Sequence, residues 1–332
     1  MTTIYDIAKA VGVTQTTVAN ALAGRHNVSE ATRQRILQCA REMGYRPNVL
    51  ARGLARRKTF SLGFLLPTIA NPFYPEIAEE VERVAQQHDY QMLLCNTHYD
   101  PALGQQHLER LVSRWVDGLL IMGSSLDITC ILPHFQQGLP VVLCDWQENE
   151  KPPAVLPQVS TDFRLAGALA ARHLLELGHR SIAVIVEEPR HALRLAGFRD
   201  TLHEAGLLLE LIQQGYSTVE SGYAAAKELL ARPDRPTAIF TTSDWMALGA
   251  MNAIREAGLS IPHDISLLGL DNIQLSAHLH PPLTTIALPK HALARTATEL
   301  LLRQIEGKQE QSDPILLPPA LLVRASTACP SR

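Results

Sequence analysis

The stretch Asp6-Ile-Ala-Lys-Ala-Val-Gly-Val-Thr-Gln-Thr-Thr-Val-Ala-Asn-Ala-Leu22 decides how the chain begins to fold. Two short helical patterns meet there at a glycine. Ile7, Ala8 and Val11 form one apolar face, and Val13, Val18 and Leu22 form the next. A steeply crossing helix pair needs a small residue at the crossing, a turn residue that tolerates positive φ and a branched anchor in the second helix. Ala8, Gly12 and Val18 stand in that order, which predicts a helix-turn-helix. Thr14 is placed to cap the second helix with its hydroxyl. With Val18 and Leu22 turned inward, Gln15, Thr16, Ala19 and Asn20 share the opposite face. These short side chains suit hydrogen bonds to base edges in a major groove, although an αα-hairpin without DNA function shows the same pattern.

Outward from this unit, the spacing of Thr32, Ile36, Leu37, Ala40 and Met43 predicts a third helix over 29–43, with Ser29 as N-cap and Gly44 as terminator. Gly44-Tyr-Arg-Pro-Asn-Val-Leu-Ala-Arg-Gly-Leu-Ala-Arg-Arg-Lys58 follows, where Pro47 suits the first turn of a short helix with its body over 48–55. Together these segments resemble the headpiece and hinge helix of the lactose-repressor (LacI-type) family, and the likeness continues to the C-terminus. The resemblance implies DNA contacts from Thr3, Tyr5, Thr14, Gln15, Thr16, Thr17, Asn20, Asn27, Tyr45, Asn48, Ala51 and Leu54. It also implies a hinge helix that forms only on operator DNA, with Leu54 of each dimer partner wedged into the minor groove. Such a wedge unstacks a base step at roughly a few kcal/mol, offset by the contacts that bending allows. A linker leucine packing on its own domain is the alternative for Leu54. The run Thr17-Val18-Ala19-Asn20 departs from the family's Thr-Val-Ser-Arg, losing a phosphate or base donor and a guanine reader. The operator therefore need not match the family's usual sequence.

Charge supports the same division. Residues 1–60 hold ten Lys/Arg against three acidic residues, +7, and the remainder carries −10 of the overall −3. A basic head on an acidic body is what phosphate neutralisation at one end requires, although arginines on the third helix could simply solvate its face. The five cysteines are scattered and odd in number, which argues for reduced thiols and against a disulfide framework or a zinc site. With no signal-like stretch and no run near ~20 apolar residues, a soluble cytoplasmic protein without membrane association is expected.

At 332 residues the chain exceeds one ordinary domain. After Lys58 the pattern alternates buried strand runs, such as Ser61 to Leu66, Gly118 to Met122, Ile182 to Val186 and Ile265 to Leu270, with amphipathic helices. This predicts an α/β body of parallel sheets covered on both faces, with too many strands for one sheet. The resemblance implies a periplasmic-binding-protein type fold, two flavodoxin-like lobes joined by three crossings, behind the all-α headpiece. The expected divisions are 1–47 for the headpiece, 48–59 for the hinge, and 60–332 for an effector-binding and dimerisation domain. Its lobes cover roughly 60–160 plus 290–320, and 161–289 plus 321–332.

Open α/β sheets bind ligands beyond the carboxyl ends of their strands, and four segments qualify. In Leu66-Pro-Thr-Ile-Ala-Asn-Pro-Phe-Tyr74, Phe73 and Tyr74 suit a pocket rim and match the family's Asn-Pro-Phe-Phe signature; Phe73 is equally suited to plain core. Asp145 and Trp146 resemble the Asp-Trp of ribose- and purine-type members, a surface capping Asp being the alternative. Arg194 matches the family arginine that makes forked hydrogen bonds to effector oxygens, a surface arginine at a helix start being the alternative. Val186-Glu-Glu-Pro-Arg-His-Ala192 before it departs from the family's Gly-Pro loop. Asp271, in Leu268-Gly-Leu-Asp-Asn272, can accept from two vicinal hydroxyls and complement Arg194. Asp244 is as readily a helix cap as a ligand contact.

No Walker A loop, no Gly-x-Gly-x-x-Gly after a strand, no metal-binding histidine spacing and no Gly-x-Ser-x-Gly elbow occur, so neither catalysis nor a cofactor or metal is expected. The reading is a homodimeric repressor on double-stranded operator DNA, controlled by a small-molecule effector. A sugar such as ribose acting as inducer comes first and a purine corepressor second. A ligand-binding module without DNA function is the competing class, with which the basic helix-turn-helix is at odds.

Overall fold

The computed structural model describes the chain except residues 1, 23, 25–26, 46–57, 115, 124–125, 149, 309–312 and 332. The expectations for Asn48, Ala51 and Leu54 lie outside the described residues. The chain divides into two compact units, residues 1–59 and 60–332.

In the first unit α1 (Ile4–Val11), α2 (Gln15–Leu22) and α3 (Glu30–Glu42) enclose a small core of Ile7, Ala8, Val18, Ala21, Val28, Ile36 and Ala40. Gly12 ends α1 at φ 74°, a conformation that costs a glycine nothing. Thr14 accepts from the Thr17 N–H at 3.1 Å and caps α2. Ser29 does the same for α3 through the Thr32 N–H at 3.3 Å. The expected inner face shifts slightly: Ala21 is fully packed, Leu22 is half-buried, and Met43 is an exposed cap of α3 rather than part of its apolar stripe.

The second unit contains two six-stranded sheets. The first lobe runs β1 (Ser61–Leu66), α4 (Phe73–Gln87), β2 (Gln91–Asn96), α5 (Pro101–Ser113), β3 (Gly118–Met122), α6 (Ile128–Gln136), β4 (Val141–Cys144) and β5 (Gln158–Thr161). The second runs α7 (Phe163–Glu176), β6 (Ile182–Val186), α8 (Ala192–Glu204), β7 (Leu211–Gln214), α9 (Val219–Leu230), β8 (Ala238–Thr241), α10 (Asp244–Glu256), β9 (Ser266–Asp271) and β10 (Thr284–Ala287). The chain then returns through α11 (Lys290–Ile305) and β11 (Ile315–Leu317) to the first lobe, and β12 (Ala320–Leu322) joins the second.

Strand orders are β2-β1-β3-β4-β5-β11 and β7-β6-β8-β9-β10-β12. Both reverse direction beside their first strand, so each lobe has a switch point whose strand ends face a ligand crevice. All pairs are parallel except β10 with β12. Two strands, β5 and β7, were not legible in the sequence. β5 carries Val159 as its one large apolar residue, and β7 is an edge strand that stays half-exposed, so neither presents a buried run.

Helix packing in the second lobe is close. A Cβ on Gly167 of α7 would lie 1.9 Å from the Arg194 carbonyl oxygen, and one on Gly197 of α8 would lie 1.9 Å from that of Arg164. Backbone therefore meets backbone at this crossing, and it fixes the first turn of α8.

Candidate functional site

In the headpiece, Gln15, Thr16 and Ala19 are exposed on one side of α2 and Asn20 is half-buried at its margin, the face expected for major-groove contact. Tyr5, 58% exposed on α1, and Asn27 are also open to solvent, whereas Tyr45 packs against the headpiece core. Thr3 and Thr14 are exposed, but their hydroxyls already serve the fold. Thr3 forms a capping box with Asp6, whose carboxyl those hydrogen bonds hold below its ordinary range. Thr14 and Thr17 share a hydroxyl contact of 2.9 Å.

In the body, the two lobes meet around a cavity of about 70 Å³ lined by residues from both lobes. Phe73, Tyr74, Asp145, Trp146 and Arg194 line it as the strand-end rule requires. Asn71 sets the entry to α4 by accepting from the Phe73 N–H at 3.1 Å. Asp145 directly follows β4 at φ 40° and Asp271 ends β9 at φ 118°, backbone conformations that non-glycine residues hold only under constraint. Asp145 accepts from the Thr161 N–H at 2.6 Å. Burial pushes its carboxyl up to about 7, against the opposing pull of the Thr161 N–H and Arg194.

Arg194 is the centre of the site. Its Nε donates to Glu148 Oε1 at 2.7 Å, and its Nη1 donates to the Thr242 carbonyl at 2.7 Å. Nη1 also lies 3.8 Å from Asp271 Oδ1, and the guanidinium stacks 4.4 Å over the Phe163 ring. Burial raises the Asp271 carboxyl to about 6, with Arg194 and Lys290 opposing. The indole Nε1 of Trp146 is buried and has no hydrogen-bond partner among the described residues.

Asp244 is not brought to the cavity. It is fully buried, with Oδ1 accepting from the Thr285 hydroxyl at 2.7 Å and Oδ2 from the Ile273 N–H at 3.0 Å. Nor is it the cap of α10, a role taken by Ser243. It fastens the loop after β9, and Gly269 leaves the space: a Cβ there would sit 2.1 Å from Asp244 Oδ1.

Several cavity residues escaped the sequence reading. Tyr99 follows the end of β2, where the strand-end rule could have found it; its ring lies 4.0 Å under the Arg190 guanidinium. Glu187, Arg190 and His191 come from the unusual loop before α8. The Thr242 hydroxyl donates to the Ile185 carbonyl, so it accepts from His191 Nδ1 at 2.8 Å, and Nε2 is left as an acceptor. Burial, then the nearby Arg194 and Arg190, hold this imidazole neutral. Larger open grooves of about 500 and 540 Å³ lie elsewhere on the body, the first between α7 and α8 and the second beside the segments that follow β9 and β10. Among the described residues, no His, Cys, Asp and Glu group could hold a metal ion, and no helix is long and apolar enough to cross a membrane.

A helix-turn-helix with a short-chained exposed face, together with a two-lobed body whose strand ends converge on a cavity of charged and aromatic side chains, defines a DNA-binding regulator with a ligand-binding domain. Residues 3–48 match the bacterial regulatory proteins of the lacI family, and residues 171–327 match a periplasmic binding protein-like domain. The transcriptional repressor PurR of Histophilus somni is 35% identical over 98% of this chain and 99% of its own length. The ribose operon repressor of Haemophilus influenzae is 35% identical over 98% of each. The crystal structure of the lac repressor dimer bound to operator and the anti-inducer ONPF has a TM-score of 0.89 at 27% identity, covering 98% of this chain and 99% of that one. A LacI family regulator from Enterococcus faecium with bound ribose has a TM-score of 0.74 at 32% identity, covering 81% and 99%. The chain belongs to the LacI family: it is a DNA-binding transcriptional repressor with a ligand-binding domain, and not an enzyme. The match over 3–48 sets aside a ligand-binding module without DNA function.

Proposed function

We propose that the cleft takes a small sugar such as ribose, which acts as inducer of a cytoplasmic homodimeric repressor. The carrying observation is the orphaned indole N–H of Trp146, buried at a cavity that also presents the Asp145 carboxylate and the Arg194 guanidinium, with Asp271 beside the latter. A ring oxygen or hydroxyl satisfies the indole, and vicinal hydroxyls suit the carboxylates and the guanidinium. The ribose-bound relative and the ribose operon repressor support the same chemistry. The proposed effector contacts are Phe73, Tyr74, Asp145, Trp146, Arg194 and Asp271. The remaining cavity is far below the roughly 300 Å³ at which small-molecule pockets begin, so the lobes part to admit the sugar. Coupling of about 1–3 kcal/mol between cleft and operator is enough to switch such a protein. A purine corepressor is the second reading, favoured by the aromatic walls Phe73, Tyr74 and Trp146 and by the likeness to PurR.

Thermal denaturation with pentoses, hypoxanthine and guanine, followed by binding to operator selected from a random DNA pool, tests this. Ribose should raise the melting temperature and weaken operator binding about tenfold or more, within the usual coupling range. A purine that stabilises the protein and strengthens operator binding would overturn the inducer reading.

A further inference from the structure

We propose that Glu148 sets the charge selectivity of the cleft: as an internal anion it fills the anion-binding end of α8 and keeps anionic ligands out, so that the effector is an uncharged, hydroxyl-bearing molecule. This rests on the cleft being the effector site and narrows the class of effector.

The start of α8 has the parts of an anion site, since free backbone N–H groups and the positive helix end lie beside a guanidinium. These donors are already taken. Glu148 Oε2 accepts from the N–H groups of Leu193 and Arg194 at 2.9 and 3.2 Å, and Oε1 accepts from Arg194 Nε at 2.7 Å. The carboxylate arrives from the other lobe, on the loop after β4, and its side chain is only 3% exposed. One carboxylate thus satisfies three donors and uses up the positive field that would attract a phosphate.

What the cleft still offers consists largely of acceptors. Asp145, Glu148, Glu187 and Asp271 outnumber Arg190, Arg194 and Lys290 in and around the cavity, and His191 contributes a neutral ring. A second anion would meet like charge in a site of low dielectric. An uncharged polyol instead donates hydroxyl protons to these groups and accepts from the Trp146 N–H.

The test is thermal denaturation of the full chain with inorganic phosphate and D-ribose 5-phosphate as probes. It compares wild type, Glu148→Ala, Glu148→Gln and the double variant Glu148→Ala/Arg194→Ala. Phosphate well above its dissociation constant should raise the melting temperature of Glu148→Ala by about 2–4 °C, and that of Glu148→Gln by less. Wild type and the double variant should not respond. The Gln variant keeps an acceptor for the α8 N–H groups and guards against an Ala variant that fails to fold. Wild type stabilised by either anion through Arg194 as strongly as the variants would overturn the proposal, because anions would then displace Glu148 rather than be refused. Indifference of both Glu148 variants would overturn it as well. D-ribose is run in parallel: its failure to bind wild type counts against the sugar reading alone, since the phosphate arm requires no effector.

Discussion

The two lobes of the body share one strand order and meet at one cleft, yet they bring different chemistry to it. The first contributes aromatic walls and carboxylates: Phe73, Tyr74, Tyr99, Asp145, Trp146 and Glu148. The second contributes the guanidinium groups of Arg190 and Arg194, the Glu187 carboxylate, the neutral His191 and the Phe163 ring, with Asp271 behind them. Their scaffolding differs too. In the second lobe, glycines bring backbones into contact at α7–α8 and again at α9–α10, where a Cβ on Gly249 would lie 1.9 Å from the Val219 carbonyl oxygen. In the first lobe, the atoms nearest a Cβ on Gly104 belong to side chains, Leu126 at 3.0 Å and Thr97 at 3.6 Å. A repeated architecture thus carries a rigid half that holds the guanidinium groups and a more adjustable half that holds most of the aromatic walls, and only the joined pair makes a complete site.

Cutting the electrostatic join should have the largest effect. Arg194→Ala strands the buried Glu148 carboxylate and removes the nearest cation from Asp271, and should cost about 3–5 kcal/mol of stability in urea denaturation. A loss below about 1 kcal/mol would mean that the cross-lobe pair contributes little. Next comes the rigid half. Gly167→Ala forces a backbone clash and should cost about 3 kcal/mol, whereas Gly104→Ala should stay within about 1 kcal/mol because Leu126 can shift. Equal costs at the two sites would erase the distinction between rigid and adjustable lobes.

A smaller effect is expected from titration of the first lobe's carboxylate. With its pKa raised from 3.8 to about 7, Asp145 holds more proton in the folded than in the unfolded chain between those values. Its contribution to stability therefore falls as pH rises through that window. Asp145→Asn keeps an acceptor for the Thr161 N–H and removes the titration. The stability of the variant relative to wild type should thus rise from about pH 4 to about pH 7 and level off above. A flat difference in denaturation midpoints across that range would show an ordinary carboxyl. The smallest change should come from Tyr99→Phe, which gives up only a 3.4 Å contact with the Tyr74 hydroxyl and keeps the ring under Arg190. It should cost no more than about 1 kcal/mol.

Much of this lobe-by-lobe chemistry was visible along the chain, because strand-end positions are local features. Asp145, Arg194 and Asp271 each stand where an apolar strand run stops or a helix begins. Asp244 sits at a similar boundary and misled for that reason, since whether a strand-end carboxylate faces the cleft or turns beneath it depends on Thr285 and the Ile273 backbone. The loop before α8 looked only like a departure from the family pattern. In the folded chain it is what supplies Glu187, Arg190 and His191 to the cavity.

The sequence by itself determined the helix-turn-helix, the alternation of strands and helices, and the residues available at the strand ends. Each of these follows from periodicity, caps and turn chemistry within a few residues. Tertiary structure alone decided that β11 and β12 part to different sheets, that two half-exposed strands complete them, and that Glu148 reaches Arg194 across 46 positions of chain. Those outcomes depend on which lobe faces which, and on the need of every buried charge for a partner, conditions that exist only once the two lobes have closed on each other.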